Sequence, residues 1–234
     1  MAARLLVMLK APIPGLVKTR LAAAVGEEAA LGAYVAMARN VLAAASASGL
    51  PTAVWYAPAG ERALMEDFCG PGATLFPQAE GDLGARMADA FARTFVAGAG
   101  AALLVGGDLP LLDGPLLARG AALLGEAEGV LGPALDGGYY AVGFTREGYV
   151  PEVFADMPWS GPEVFSRTRE RLARAGRRTA LLPELPDCDT VDDLRRLARE
   201  PWRSRLAGTP FGAFLAARTG DPFDRDPDNR LSVP

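Results

Sequence analysis

The chain has 234 residues, half of them apolar, and its 24 basic and 28 acidic side chains leave a net charge of -4. That is enough apolar material for a full globular core, and the acidic balance argues against a nucleic-acid-binding surface, which needs a concentrated basic field. Histidine is absent, which removes Ser-His-Asp and Cys-His catalysis, His-ligated zinc and the usual neutral-pH base; any chemistry falls to carboxylates, Lys/Arg, backbone amides or a hard metal ion.

Residues 4–9 read as a buried strand, a short apolar run that stops at the Pro/Gly loop Lys10-Ala11-Pro12-Ile13-Pro14-Gly15. The region of Met1 lacks the pattern of a secretory leader, and no stretch approaches eighteen uninterrupted apolar residues. The expectation is a cytoplasmic protein with no membrane span. Lys10 and Lys18, the chain's two lysines, both lie in this first loop, and every other basic residue is arginine. A compact ammonium beside a Pro/Gly-shaped turn suits a phosphate-handling loop. Gly15 would permit close backbone approach, Lys18 and Arg20 would neutralise phosphates, and Thr19 would cap the next helix. The plainer alternative is two surface lysines. The loop has neither G-x-x-x-x-G-K-[ST] nor G-x-G-x-x-G, which disfavours an ATPase or a dehydrogenase.

Residues 21–48 read as a short helix followed by a longer one, interrupted by Gly26 and Gly32. Strands follow at 52–56 and 73–76 with a helix at 61–68 between them, then a helix at 83–96. Residues 101–105 form a second strongly apolar strand ending in Gly106-Gly107-Asp108, and 113–125 read as a helix with Asp113 as N-cap and Pro115 in its first turn. Such alternation implies parallel strands joined by right-handed crossovers, a doubly wound α/β sheet.

The second half is less regular. Strands at 130–134 and 139–144 surround Asp136-Gly137-Gly138 and can supply an antiparallel member to a mixed sheet. Ser160-Gly161-Pro162-Glu163 reads as a capping box opening a helix to 175, residues 179–182 as the last strand, and Thr190-Val191-Asp192-Asp193 as a capping box opening a helix to 199. The arginines between 167 and 178 are interspersed with acids, as on a solvated helix face. Cys69 and Cys188 are isolated, so neither a disulfide framework nor a thiolate zinc site is indicated. The expectation is a single three-layer αβα domain over 1–200, with a mixed, mostly parallel sheet, and a tail at 201–234 that packs on it or is partly disordered. The apolar run Phe211-Gly212-Ala213-Phe214-Leu215 reads as a short helix docked on its own domain, with a homodimer contact as the alternative.

In a parallel sheet the ligand lies beyond the carboxyl ends of the strands, so residues directly after strands carry most weight. Asp108, behind two small residues, can hold Mg²⁺ or Mn²⁺, which take oxygen ligands and share substrate phosphates; otherwise it caps a turn. Asp113 reads as a cap of that kind. In Asp136-Gly137-Gly138-Tyr139-Tyr140 the glycines allow a bend close to a ligand and the rings can pack on a sugar or base, although D-G-G is also a good turn between strands. In Asp187-Cys188-Asp189-Thr190 the carboxylates cap the following helix, or Asp189 joins Asp108 as a second metal ligand; the two readings are compatible.

Together these loops resemble the GT-A fold, the nucleotide-diphospho-sugar transferase architecture. More narrowly they are similar to the bacterial arsenosugar-type glycosyltransferases, a formerly uncharacterised family related to cofactor nucleotidylyltransferases. The resemblance spans 4–200 and rests on six motifs in order: K-A-P-x-P-G-x-V-K-T-R-L at 10–21, G-D-L-G-x-R-M at 81–87, G-D-L-P-L-L at 107–112, D-G-G-Y-Y-x-x-G at 136–143, M-P-W-S at 157–160 and D-x-D-T-x-x-D-L at 187–194.

The resemblance implies a nucleotide cradled by Lys10, Pro12, Gly15, Lys18 and Arg20 of the first loop and by Gly81, Asp82 and Arg86, with Gly107, Gly137, Gly138 and Tyr139 completing the nucleotide-sugar site. Asp108 takes the role of the metal-binding aspartate, with Asp189 as second ligand by analogy with sugar nucleotidyltransferases. The D-G-G-Y and M-P-W-S segments line the acceptor side, where Asp136 is a candidate base by position. The first loop departs from the G-G-x-S-x-R-M-G pattern of molybdenum-cofactor guanylyltransferases. The expected reaction is metal-dependent transfer of a sugar from a nucleotide-diphospho-sugar to a small acceptor, with Lys18 and Arg20 assisting electrostatically. Nucleotidyl transfer from a triphosphate with pyrophosphate release is the nearest alternative, and a non-catalytic nucleotide-sugar binder a third.

Overall fold

The computed structural model describes residues 3–159 and 161–217. The strands are β1 (Ala3–Lys10), β2 (Thr52–Ala57), β3 (Leu75–Pro77), β4 (Ala101–Gly106), β5 (Gly129–Pro133), β6 (Tyr139–Thr145) and β7 (Thr179–Leu181). The helices are α1 (Thr19–Val25), α2 (Glu27–Ala47), α3 (Arg62–Cys69), α4 (Leu83–Val96), α5 (Gly114–Leu123), α6 (Val164–Arg174), α7 (Val191–Leu197), α8 (Trp202–Arg205) and α9 (Pro210–Ala216).

The seven strands form one sheet in the order β3-β2-β1-β4-β6-β5-β7. β1 pairs in parallel with both β2 and β4, whereas β6 runs antiparallel between β4 and β5, and β7 returns parallel to β5. The sheet is therefore mixed and mostly parallel, with helices on both faces. One face is covered by small residues: Ala30, Ala33 and Ala38 of α2 are fully buried beside Leu5, Val7 and Leu103. The other carries an aromatic cluster, in which Phe91 of α4 meets Phe144 of β6 edge-on at 5.0 Å and stacks on Phe154 at 6.0 Å.

Local sequence accounts for several element starts. Asp82 accepts the Ala85 N–H at 2.8 Å to open α4, and Asp113 accepts the Leu116 N–H at 2.8 Å to open α5. Thr190 and Asp193 form the reciprocal capping box of α7. The break between α1 and α2 falls at Gly26, with φ 89°, while Gly32 stays inside α2.

One expected cap is corrected, and one falls partly outside the described residues. Thr19 is the first residue of α1; the cap position belongs to Lys18, held at φ 49° with no side-chain cap bond. α6 starts at Val164 behind Glu163, whose carboxylate pairs with Arg167 at 2.7 Å one turn on. Ser160, the other half of the expected box, lies outside the described residues. The described residues that follow are tied to the turn after β5: the Phe165 N–H donates to Gly137 O at 2.9 Å, and a Cβ on Gly137 would fall 2.7 Å from Pro162 Cα.

α9 docks on α2 with Phe211 fully buried, so the apolar run at 211–215 belongs to this chain's own core. Residues 218–234 of the expected tail lie outside the described residues. By length and mean hydropathy (1.2 in its most apolar window) α2 could cross a bilayer, although polar residues interrupt its apolar run. Here it packs against β1, α5 and α9.

Candidate functional site

From β1 the chain winds outward to β2 and β3, then crosses back through α4 to reach β4 on the other side of β1. The loops leaving β1 and β4 therefore diverge, and in an open α/β sheet such a switch point leaves a crevice beyond the strand ends. A cleft of about 490 Å³ opens there. Its wall is built from the ends of β1 and β4, the first loop, the start of α4, the turn after β5 and the segment before α7.

At its centre stands Lys18. Its left-handed backbone turns the side chain inward, leaving it 4% exposed, with Nζ 2.7 Å from Asp189 Oδ1 and 3.0 Å from Asp108 Oδ1. The two carboxylates arrive from segments 81 positions apart (189 − 108) and are half exposed, at 50% and 41% of their side-chain surface. Asp108 Oδ1 is itself shielded and accepts no hydrogen bond from the described residues, and the Lys18 ammonium is its ionic counterpart. Burial alone would lower the Lys18 pKa, but the charges of Asp108 and Asp189 outweigh it and the pKa is raised. For Asp189 burial works upward, and the charge and hydrogen bond of Lys18 overcome it to hold the carboxyl below its ordinary range. Lys18 and Asp189 are thus both ionised at neutral pH.

Two further carboxylates face the same space. Asp136 Oδ1 accepts the Gly138 N–H at 2.8 Å, the turn-forming role foreseen for it, and the residue also lines the cleft. Burial first, then the charges of Asp136 and Asp189, push Asp187 up to about 6.

Of the residues singled out in the sequence, Lys10, Lys18, Arg20, Arg86, Gly107, Asp108, Asp136, Gly138, Tyr139 and Asp189 line the cleft. Pro12, Gly15, Gly81, Asp82 and Gly137 do not, and shape the loops around it. Asp82 is spent on capping α4, Gly15 and Gly81 turn the chain at φ 77° and 109°, and Gly137 is packed against Pro162. Two cleft residues escaped the sequence reading. Tyr34 of α2 donates to Lys10 O at 2.6 Å and accepts the Lys10 N–H at 2.8 Å, pinning the end of β1. Gln78, just after β3, does the same for the ends of β1 and β2 with its side-chain amide. Tyr34 sits inside an apolar helix and Gln78 after a three-residue strand, so only the strand-end position of Gln78 could have signalled either.

The donor set fits a hard divalent cation. Oxygen ligands from Asp108 and Asp189 are what Mg²⁺ or Mn²⁺ takes alongside substrate phosphates, and the spot already holds a positive charge. Ammonium and metal ion would compete for the same two oxygens. Among the described residues no group of three or more His, Cys, Asp or Glu forms a closed cage.

A seven-stranded mixed sheet flanked by helices, with its cleft at the β1/β4 switch point, is a nucleotide-diphospho-sugar transferase-like α/β fold. Within that class the chain belongs to the family described as "uncharacterized protein conserved in bacteria (DUF2064)", whose profile matches residues 40–161. Among solved structures it is similar to a protein from Desulfovibrio desulfuricans G20, provisionally named a nucleotide-diphospho-sugar transferase: 30% identity, 95% of this chain and 97% of that one covered, TM-score 0.89. The fold is shared with the inositol-1-phosphate CTP transferase of T. maritima, at 13% identity, 89% and 98% coverage and TM-score 0.55. It is shared also with a CMP:2-keto-3-deoxy-manno-octonic acid synthetase complexed with CTP, at 13% identity, 84% and 97% coverage and TM-score 0.53. No curated protein matches the chain.

Proposed function

We propose that this protein is a metal-dependent glycosyltransferase that moves a sugar from a nucleotide-diphospho-sugar to a small acceptor. The observation that carries the reading is the buried Lys18 between two half-exposed carboxylates at the switch point, a cation spot flanked by the further basic groups Lys10, Arg20 and Arg86. The six motifs shared with the arsenosugar-type glycosyltransferases support it, as does the provisional name of the 30%-identical relative.

Asp108 and Asp189 would hold a divalent ion, which when bound would offset the charge that builds on a departing diphosphate. Lys18, Lys10 and Arg20 bind and orient the diphosphate. On the far wall Asp136 is placed to take the proton of an acceptor hydroxyl. Trp159 and Tyr139, edge-on at 6.4 Å, provide an aromatic wall on that side.

The test is thermal melting against nucleoside triphosphates, diphosphates and nucleotide-sugars, each with and without Mg²⁺ or Mn²⁺. A ligand at a hundred times its Kd stabilises by about 2.7 kcal/mol, roughly 5–10 °C for a chain of this size. The expected result is a metal-dependent rise with one nucleotide-sugar and its diphosphate. A rise with a triphosphate only, accompanied by pyrophosphate release, overturns sugar transfer in favour of nucleotidyl transfer, and binding without turnover of any acceptor leaves a sensor.

A further inference from the structure

Gln78 presents one unused hydrogen-bonding atom to the cleft. Its backbone N–H donates to Tyr56 O at 2.8 Å, continuing the parallel ladder, and its side-chain Nε2 donates to Trp55 O at 2.8 Å and to Leu9 O at 3.2 Å. With both Nε2 hydrogens on carbonyls the amide orientation is forced, because a flipped amide would set Oε1 against two carbonyl oxygens. Oε1 takes no hydrogen bond from the described residues and is not among their buried unpaired atoms, while Gln78 lines the cleft. What remains is a single acceptor, fixed in direction and open to ligand.

We propose that Gln78 selects the nucleobase of the donor by accepting one of its ring or exocyclic N–H groups at Oε1. The inference rests on the nucleotide-sugar reading above and names the residue and chemistry by which that site reads its base. Lys18 and Asp108 place the diphosphate between β1 and β4, whereas the Gln78 amide lies over the ends of β1 and β2. Strand spacing sets it one to two strands outward, about 5–10 Å from Asp108, a gap of the kind a ribose bridges between a diphosphate and its base. Leu83, 46% exposed, lines the same cleft and offers the apolar surface on which a flat ring can lie. A base with no N–H at this point would desolvate Oε1 without replacing its water, and a locked acceptor cannot turn to present a donor instead.

The experiment is calorimetric binding of ADP, CDP, GDP and UDP, with pyrophosphate as the base-free probe, to wild type and Gln78→Met in Mg²⁺. The wild type is expected to prefer one base over the poorest by about tenfold or more, the size of one hydrogen bond. Gln78→Met is expected to erase about tenfold of that preference while pyrophosphate affinity stays within about twofold. A merely structural role would instead weaken pyrophosphate and all four nucleotides together. Should the variant not fold, the preferred diphosphate with its base N–H groups methylated is expected to bind wild type about tenfold more weakly than its parent. A folded Gln78→Met that keeps its base preference, or a methylated ligand at full affinity, overturns the assignment and leaves the nucleotide site standing. If wild type binds neither diphosphates nor pyrophosphate, the site reading falls and takes this one with it.

Discussion

The two walls of the cleft carry opposite charge. The wall built by the first loop and the start of α4 is basic, with Lys10, Lys18, Arg20 and Arg86; the wall built by the turn after β5 and the segment before α7 is acidic, with Asp136, Asp187 and Asp189. A basic wall receives anions, and an acidic one repels them while attracting cations and hydroxyl protons. The contrast divides the labour within one cavity, and Lys18 joins the two sides by pairing with Asp189 across it and with Asp108 between them.

The largest effect is expected where the walls meet. Asp108→Asn should lower turnover by about 10²–10³-fold, the usual loss when a group stabilising transition-state charge is removed. Its melting temperature should stay within a few degrees of wild type, since Asp108 is half exposed. Initial rates beside a melting curve check both, and a fully active variant rejects the role.

Lys18→Met cuts the link between the walls. A unit charge 3 Å from a carboxylate is worth about 1.4 kcal/mol even at the dielectric of water, so its removal should tighten Mn²⁺ binding by about tenfold in the absence of nucleotide. Titration calorimetry of the metal alone reads this directly. Unchanged affinity would show that the ion does not use Asp108 and Asp189.

Tyr34→Phe probes the basic wall at its root. Both hydrogen bonds to Lys10 are lost, a cost of about 1–2 kcal/mol. That corresponds to a drop of about 3–6 °C in Tm, with a weaker hold on diphosphate as the functional trace.

Asp187 gives the smallest signal, on the acidic wall. Its folded pKa of about 6 stands above the ordinary 3.8. The folded state therefore binds the proton more tightly than the unfolded chain, and the stability penalty is fully present above pH 6 and relieved as pH falls from 6 towards 4. Asp187→Asn should raise Tm by about 1–2 °C at pH 7.5, a figure reduced for solvent screening, and should match wild type at pH 4. Melting curves in chelator across that range decide it.

The sequence discloses the strand ends and most helix starts, because these depend on short-range chemistry. Asp113 before Gly114-Pro115 and Thr190 three residues before Asp193 cap where local geometry demands, and Gly106-Gly107-Asp108 marks a strand running into a loop. What it hides depends on partners far along the chain. The contacts of Tyr34 with Lys10 and of Gln78 with Leu9 and Trp55 link positions 23 to 69 apart, with no spacing pattern to announce them. The left-handed Lys18 is hidden for a similar reason: the neighbours expected in sequence point to Thr19 as a cap, while the side chain is held inward by Asp108 and Asp189 from the other half of the chain.

The contact between Gly137 and Pro162 bears on how this scaffold can be recombined. The turn after β5 and the start of α6 interlock, backbone against backbone, and are stitched by the hydrogen bond from Phe165 to Gly137. A loop graft intended to retarget the acidic wall must transplant both segments as one cassette, since either alone would meet a mismatched partner.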